Sequence, residues 1–256
     1  MRGQPETRYV TVGDADVAFQ VVGDGPIDLL YCYGLGSHLE LMWEIPAAAE
    51  VLTGLASFSR LIFFDRRGTG ASDGVASAEF STWERMAEDI AAVLDAAGSK
   101  RAAILASLDA GAIAILFAAM HPERVNALIL LNTTARYLIA DDYPIGYASE
   151  VVDETVKLFT TGAIGTEVMQ RTFSPSRAND PEFIRLAAKM VRSSATPRSA
   201  AAQYDYALRS DVRPFLPLVQ VPTLVLHVSE YPLLGPVHGR YLAEHIDGAR
   251  LKVKAG

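Results

Sequence analysis

Seven short apolar runs punctuate the chain, at residues 17–22, 27–33, 61–64, 102–106, 128–131, 223–227 and 251–253. The first two form a pair across the turn Gly23-Asp24-Gly25-Pro26. The later ones are apolar at successive rather than alternate positions, as in strands covered on both faces by helices. Between them, residues 82–97 and 112–120 carry apolar side chains at helical spacing. Strand alternating with helix predicts an α/β protein with a mostly parallel, doubly wound sheet and right-handed crossovers. One region breaks the rhythm. Residues 137–216 hold no strand-like run and are helical and polar, with breakers at Pro144, Gly162, Gly165, Pro175, Pro181 and Pro197. That is too long for a loop. It reads as a helical cap over the sheet's C-terminal edge, where ligands bind in open α/β sheets. The chain thus divides into a first core part (1–136), a cap (137–216) and a second core part (217–256).

Composition narrows the function classes. Of 256 residues, half are hydrophobic and 21% charged, enough to bury a core and too apolar for a disordered chain. A net charge of −7 excludes the positive field of a nucleic-acid surface. The single cysteine, Cys32, has no partner for a disulfide framework. No apolar run has the length of a membrane span, and the first ten residues lack a signal peptide's hydrophobic stretch. A cytoplasmic protein with no transmembrane segment is expected. No His/Cys/Asp cluster has metal-ligand spacing, and no strand–G-x-G-x-x-G–helix unit is present, so neither metal nor cofactor is expected.

Four segments carry chemistry. They are Tyr33-Gly34-Leu35-Gly36, Asp65-Arg66-Arg67-Gly68-Thr69-Gly70-Ala71-Ser72-Asp73, Ala106-Ser107-Leu108-Asp109-Ala110-Gly111, and the 221–227 run. Together they resemble the α/β-hydrolase fold, with the cap inserted after that fold's sixth strand. The resemblance makes the first segment an oxyanion-hole turn, with the Leu35 and Asp109 amides as candidate donors. It makes the third a nucleophile elbow. Further stretches, Ser37-His38-Leu39-Glu40 with Trp43-Glu44 and Arg192-Ser193-Ser194-Ala195-Thr196-Pro197 among them, resemble the hydrolase-like modules at the N-terminus of actinobacterial class III adenylate/guanylate cyclases. This implies a cyclase domain as partner, in the same or another chain.

A serine hydrolase needs a nucleophile, a base, an acid and oxyanion donors. Counting back without gaps from Pro122-Glu123-Arg124-Val125 places Leu108, which has no nucleophilic atom, at the elbow apex. A one-residue shift would bring up Asp109, as in the aspartate elbow of haloalkane dehalogenases, and the opposite shift Ser107. The family's acid position falls on Tyr231, preceded by Glu230. Its base lies on the loop after the last strand, and the sequence stops at Gly256 before that loop. His38 and His227 are candidate pocket histidines, and either could serve as base for proton abstraction in the oxyanion cleft. The expected pocket is lined by Tyr33, Gly34, Leu35, His38, Leu108, Tyr137, Tyr143, Tyr147, Glu230 and Tyr231. Exchanging polar triad groups for Leu and Tyr suits a small apolar ligand. The sequence therefore predicts a degenerate hydrolase module that binds such a molecule and regulates a cyclase. The alternative is an active esterase-, lipase- or dehalogenase-like hydrolase acting on an ester through Ser107 or Asp109, with its base outside the chain.

Overall fold

The computed structural model describes residues 4–74 and 82–255; Gly256 lies outside them. Eight strands form one sheet in the order β1-β2-β4-β3-β5-β6-β7-β8. These are β1 (Arg8–Val12), β2 (Ala15–Val22), β3 (Asp28–Cys32), β4 (Arg60–Phe64), β5 (Ala102–Ser107), β6 (Val125–Leu131), β7 (Thr223–Val228) and β8 (Arg250–Lys254). From β4 onward every pairing is parallel; β1 and β2 add an antiparallel edge.

Two details differ from the sequence pattern. Strand β1 forms no apolar run, because it is an edge strand whose residues are exposed or half-exposed. The 17–22 and 27–33 runs are not neighbours in the sheet. The Arg60 amide donates to the Ile27 carbonyl (2.8 Å), and β4 enters between them, antiparallel to β2 and parallel to β3.

Core helices are α1 (Pro46–Ala56), α2 (Trp83–Ala96), α3 (Ala110–Met120) and α8 (Pro236–His245). Helix α3 is apolar around its circumference because it is enclosed: the sheet lies on one side, α2 and the 3-10 turn Arg213–Leu218 on others. Between β6 and β7 come α4 (Ser149–Thr160), α5 (Glu167–Phe173), α6 (Pro181–Ser194) and α7 (Pro197–Arg209). Pro181 and Pro197 start helices there rather than break them. Each sits in the first turn, where its missing N–H has no partner to lose, behind a capping side chain from Asp180 or Thr196.

The α6–α7 half of this layer is fastened to the core by several hydrogen bonds, among them the Trp83 amide on the Tyr206 hydroxyl (3.0 Å) and Lys189 Nζ on Glu44 (2.6 Å). The Gly70 amide donates to the Ser194 carbonyl (2.7 Å), Gln203 Nε2 to the Gly68 carbonyl (2.8 Å), and the Tyr204 hydroxyl to the Leu35 carbonyl (3.0 Å). The segment leading into the other half reaches the core through Tyr147, whose hydroxyl donates to the Leu233 carbonyl, and through Tyr143, whose hydroxyl meets Thr134 and His238. Among the described residues, no helix is long and apolar enough to cross a membrane.

Candidate active site

The turn between β5 and α3 has the strand–turn–helix form of a nucleophile elbow, with Leu108 at its apex. Leu108 has φ +58°, a left-handed conformation costing an ordinary L-residue about 1–2 kcal/mol. The surroundings fix it. The Leu108 amide donates to the Leu131 carbonyl (3.1 Å), and its carbonyl accepts from the Gly111 amide (3.2 Å) and the Thr133 hydroxyl. Ala106 and Ala110, flanking the turn, are fully buried, which lets strand and helix approach closely.

The residue after the apex has a different task. Asp109, 5% exposed, accepts at Oδ1 from the Leu35 amide (3.0 Å) and at Oδ2 from Arg66 Nη2 (2.7 Å). Arg66 is equally buried. The Leu35 N–H, expected to be an oxyanion donor, is thus already engaged by a carboxylate of the same chain. Asp109 offers no uncommitted carboxylate oxygen for nucleophilic attack. The geometry depends on Gly34: a Cβ there would lie 2.8 Å from Asp109 Oδ1 and 3.1 Å from Leu108 Cβ.

The 65–73 turn organises this arrangement from below. Asp65, 1% exposed, accepts from the Leu39 and Ala71 amides and the Ser37 hydroxyl. Burial raises its pKa, and these donors oppose the rise. Arg67 pairs with buried Asp89, and Asp73 accepts from the Asp16 amide (2.8 Å). The other ionic side chains of the turn thus hold the 37–39 loop, α2 and β2, leaving Arg66 aimed at Asp109.

Above the apex, between sheet edge and cap, lies a cavity of about 610 Å³. Its core side includes Tyr31, Tyr33, Leu35, Ser107, Leu108, Asp109 and Asn132; its cap side includes Val152, Phe159, Phe173, Phe183 and Met190. Phe159 stacks on Tyr204 with ring centroids 3.6 Å apart. Tyr137, Tyr147 and Tyr231 complete the aromatic wall. Asp109 is the only ionisable acid or base on the wall among the described residues, tyrosines aside.

Several expected pocket residues lie elsewhere. His38 is turned off the wall because its neighbours Ser37 and Leu39 are both tied to Asp65. Glu230 lies off it too, accepting from the Ser229 hydroxyl. Tyr143 is fully buried behind the wall, its hydroxyl sharing Thr134 Oγ1 and His238 Nδ1. His227 is buried, with Nε2 on the Leu234 carbonyl (2.8 Å), and burial lowers its pKa. No histidine lines the cavity among the described residues, so neither His38 nor His227 is placed to take a proton there. Ser107 is on the wall, buried at the end of β5. The pairing of Arg66 with Asp109 leaves no mark in the sequence beyond the arginine's place in the 65–73 turn. Among the described residues no group of His, Cys, Asp and Glu could hold a metal ion.

Residues 29–256 match the alpha/beta hydrolase fold family. A pimeloyl-(acyl-carrier protein) methyl ester esterase of Neisseria meningitidis is 30% identical over 170 residues, 64% of this chain and 66% of the esterase. The chain therefore spans slightly less than two thirds of the length of that curated relative. The 3-oxoadipate enol-lactonase 2 of Acinetobacter baylyi is 26% identical over 253 residues, covering 95% of this chain and 87% of the lactonase. Among solved structures, an esterase from Exiguobacterium antarcticum superposes with a TM-score of 0.82 at 21% identity, covering 97% and 90% of the two chains. Sheet order, elbow, cap and family match agree: this chain belongs to the α/β-hydrolase fold family.

Proposed function

We propose that the protein binds a small, mainly apolar molecule between core and cap and releases it uncleaved, as a hydrolase fold without an intact serine–histidine–acid triad. One observation carries this reading: a leucine stands at the elbow apex, where hydrolysis needs a nucleophile. The Asp109 carboxylate on the Leu35 amide supports it, since a negative charge at that donor opposes a developing oxyanion. A regulatory link to a class III nucleotidyl cyclase rests on the sequence resemblance alone. It would show as a ligand-dependent change in the activity of a cyclase domain joined to this module.

The rival is an ester hydrolase working through Ser107 or Asp109 with a base outside this chain, and the esterase and lactonase names of the relatives favour it. Incubation with p-nitrophenyl acetate and butyrate separates the two. No release of p-nitrophenolate above the protein-free blank is expected. Turnover that disappears in Ser107→Ala or Asp109→Ala would establish the rival.

A further inference from the structure

Tyr31 aside, the tyrosines of the cavity wall are of two kinds. Tyr204 and Tyr147 spend their hydroxyls on the Leu35 and Leu233 carbonyls. Tyr33, Tyr137 and Tyr231 line the same cavity, and their hydroxyls make no hydrogen bond to any described residue. Their places in the fold are informative. Tyr33 follows β3, Tyr137 follows β6 and Tyr231 follows β7, so the three rise from strand ends around β5, whose end carries Leu108. Burial raises the pKa of each phenol, and the Asp109 carboxylate raises it further. All three are neutral O–H donors at physiological pH.

We propose that Tyr33, Tyr137 and Tyr231 form a polar anchor that binds a neutral hydrogen-bond acceptor, such as the carbonyl of a ketone or lactone, over Leu108. The inference rests on the reading of the cavity as a binding site and names the ligand's polar end. A protein needing only an apolar pocket would line it with phenylalanine, since a desolvated hydroxyl left unpaired is costly. A carboxylate is disfavoured here. It would sit near Asp109, no Lys or Arg lines the cavity among the described residues, and Arg66 is already committed to Asp109. The remaining wall is aliphatic and aromatic, and it takes the apolar body of the ligand.

Three probes of one size test this: 4-phenyl-2-butanone, n-butylbenzene, which lacks the acceptor, and 3-phenylpropionate, which carries a charge. Calorimetric titration should give the ketone an affinity at least tenfold above the other two. Each single Tyr→Phe substitution should weaken ketone binding about 3- to 10-fold. The triple variant Tyr33→Phe/Tyr137→Phe/Tyr231→Phe should bind ketone and butylbenzene alike, with butylbenzene affinity unchanged or higher. Infrared spectra of the wild-type complex provide a readout free of mutagenesis: the bound carbonyl stretch should lie below its value in hexane. Equal affinity for ketone and butylbenzene, or a preference that survives the triple variant, overturns the anchor while the cavity reading stands. Failure of all three probes to bind overturns both.

Discussion

Removing Arg66 should be among the more destabilising single changes available in this protein. Arg66 and Asp109 are each about 5% exposed and meet at 2.7 Å. Asp109 also accepts from the Leu35 amide, so it cannot turn toward water without giving up a second bond. Arg66→Met leaves a buried carboxylate without its cation, a change that costs about 3–5 kcal/mol. Asp109→Leu leaves the guanidinium buried without its carboxylate and the Leu35 amide without its acceptor, for about 3–5 kcal/mol. In Arg66→Met/Asp109→Leu both charges go together. The remaining penalty is the unpaired Leu35 amide, about 1–2 kcal/mol. The double variant should therefore be more stable than Arg66→Met alone, a non-additivity of at least about 2 kcal/mol. Urea unfolding of the four proteins measures this, with similar slopes expected throughout. An Arg66→Met penalty below about 1 kcal/mol, or a double variant less stable than either single one, would refute the buried-pair account.

Other outcomes follow from the same geometry. Gly34→Ala should cost about 1–3 kcal/mol by crowding Asp109 Oδ1 and Leu108 Cβ, both held close to the backbone; a melting temperature within a degree of wild type would count against it. Leu108→Ser should gain no measurable esterase activity with p-nitrophenyl butyrate, because no histidine lines the cavity among the described residues and Leu35 remains engaged by Asp109; turnover at once on this substitution would show that a base reaches the apex. Burial holds His238 neutral, its pKa pushed down to about 4 from an ordinary 6.5. The unfolded chain therefore takes up a proton near pH 6.5 that the folded chain refuses, and stability falls as pH drops from 6.5 toward 4, by about 1 kcal/mol per pH unit. The gap between wild type and His238→Gln in urea should narrow over that range, and a gap independent of pH would remove His238 as the cause.

Much of this architecture was legible in the sequence because it rests on local pattern. Buried parallel strands such as 102–106 and 223–227 leave continuous apolar runs, and the elbow leaves small residues at fixed offsets from Leu108. Strand β1 leaves no such mark because an edge strand half in water needs no apolar run. The site was less readable, since its decisive contacts are long-range. Arg66 and Asp109 stand 43 positions apart, and no periodicity records that they meet. His38 and Glu230 lie on loops at the correct edge of the sheet, but side-chain direction on a loop follows from tertiary hydrogen bonds such as those of Asp65. Hydroxyl commitment is equally hidden: nothing in the residue type separates Tyr204, tied to Leu35, from Tyr137.

The three bonds from the α6–α7 half to Gly68, Gly70 and Leu35 bear on how a guest could leave. Lifting the whole roof would break all of them, at about 1 kcal/mol each. On this count alone such a form is populated by fewer than about one molecule in a hundred. Opposite, the Tyr147 hydroxyl on the Leu233 carbonyl and the Tyr143 hydroxyl on Thr134 and His238 tie the segment before α4 to the core. The α4–α5 half is in turn braced on the α6–α7 half by Arg209 on Asp153, Arg192 on the Gly165 carbonyl and the Phe159–Tyr204 stack, so the roof is held as one layer and a guest leaves by a gap at its rim rather than by the whole roof lifting.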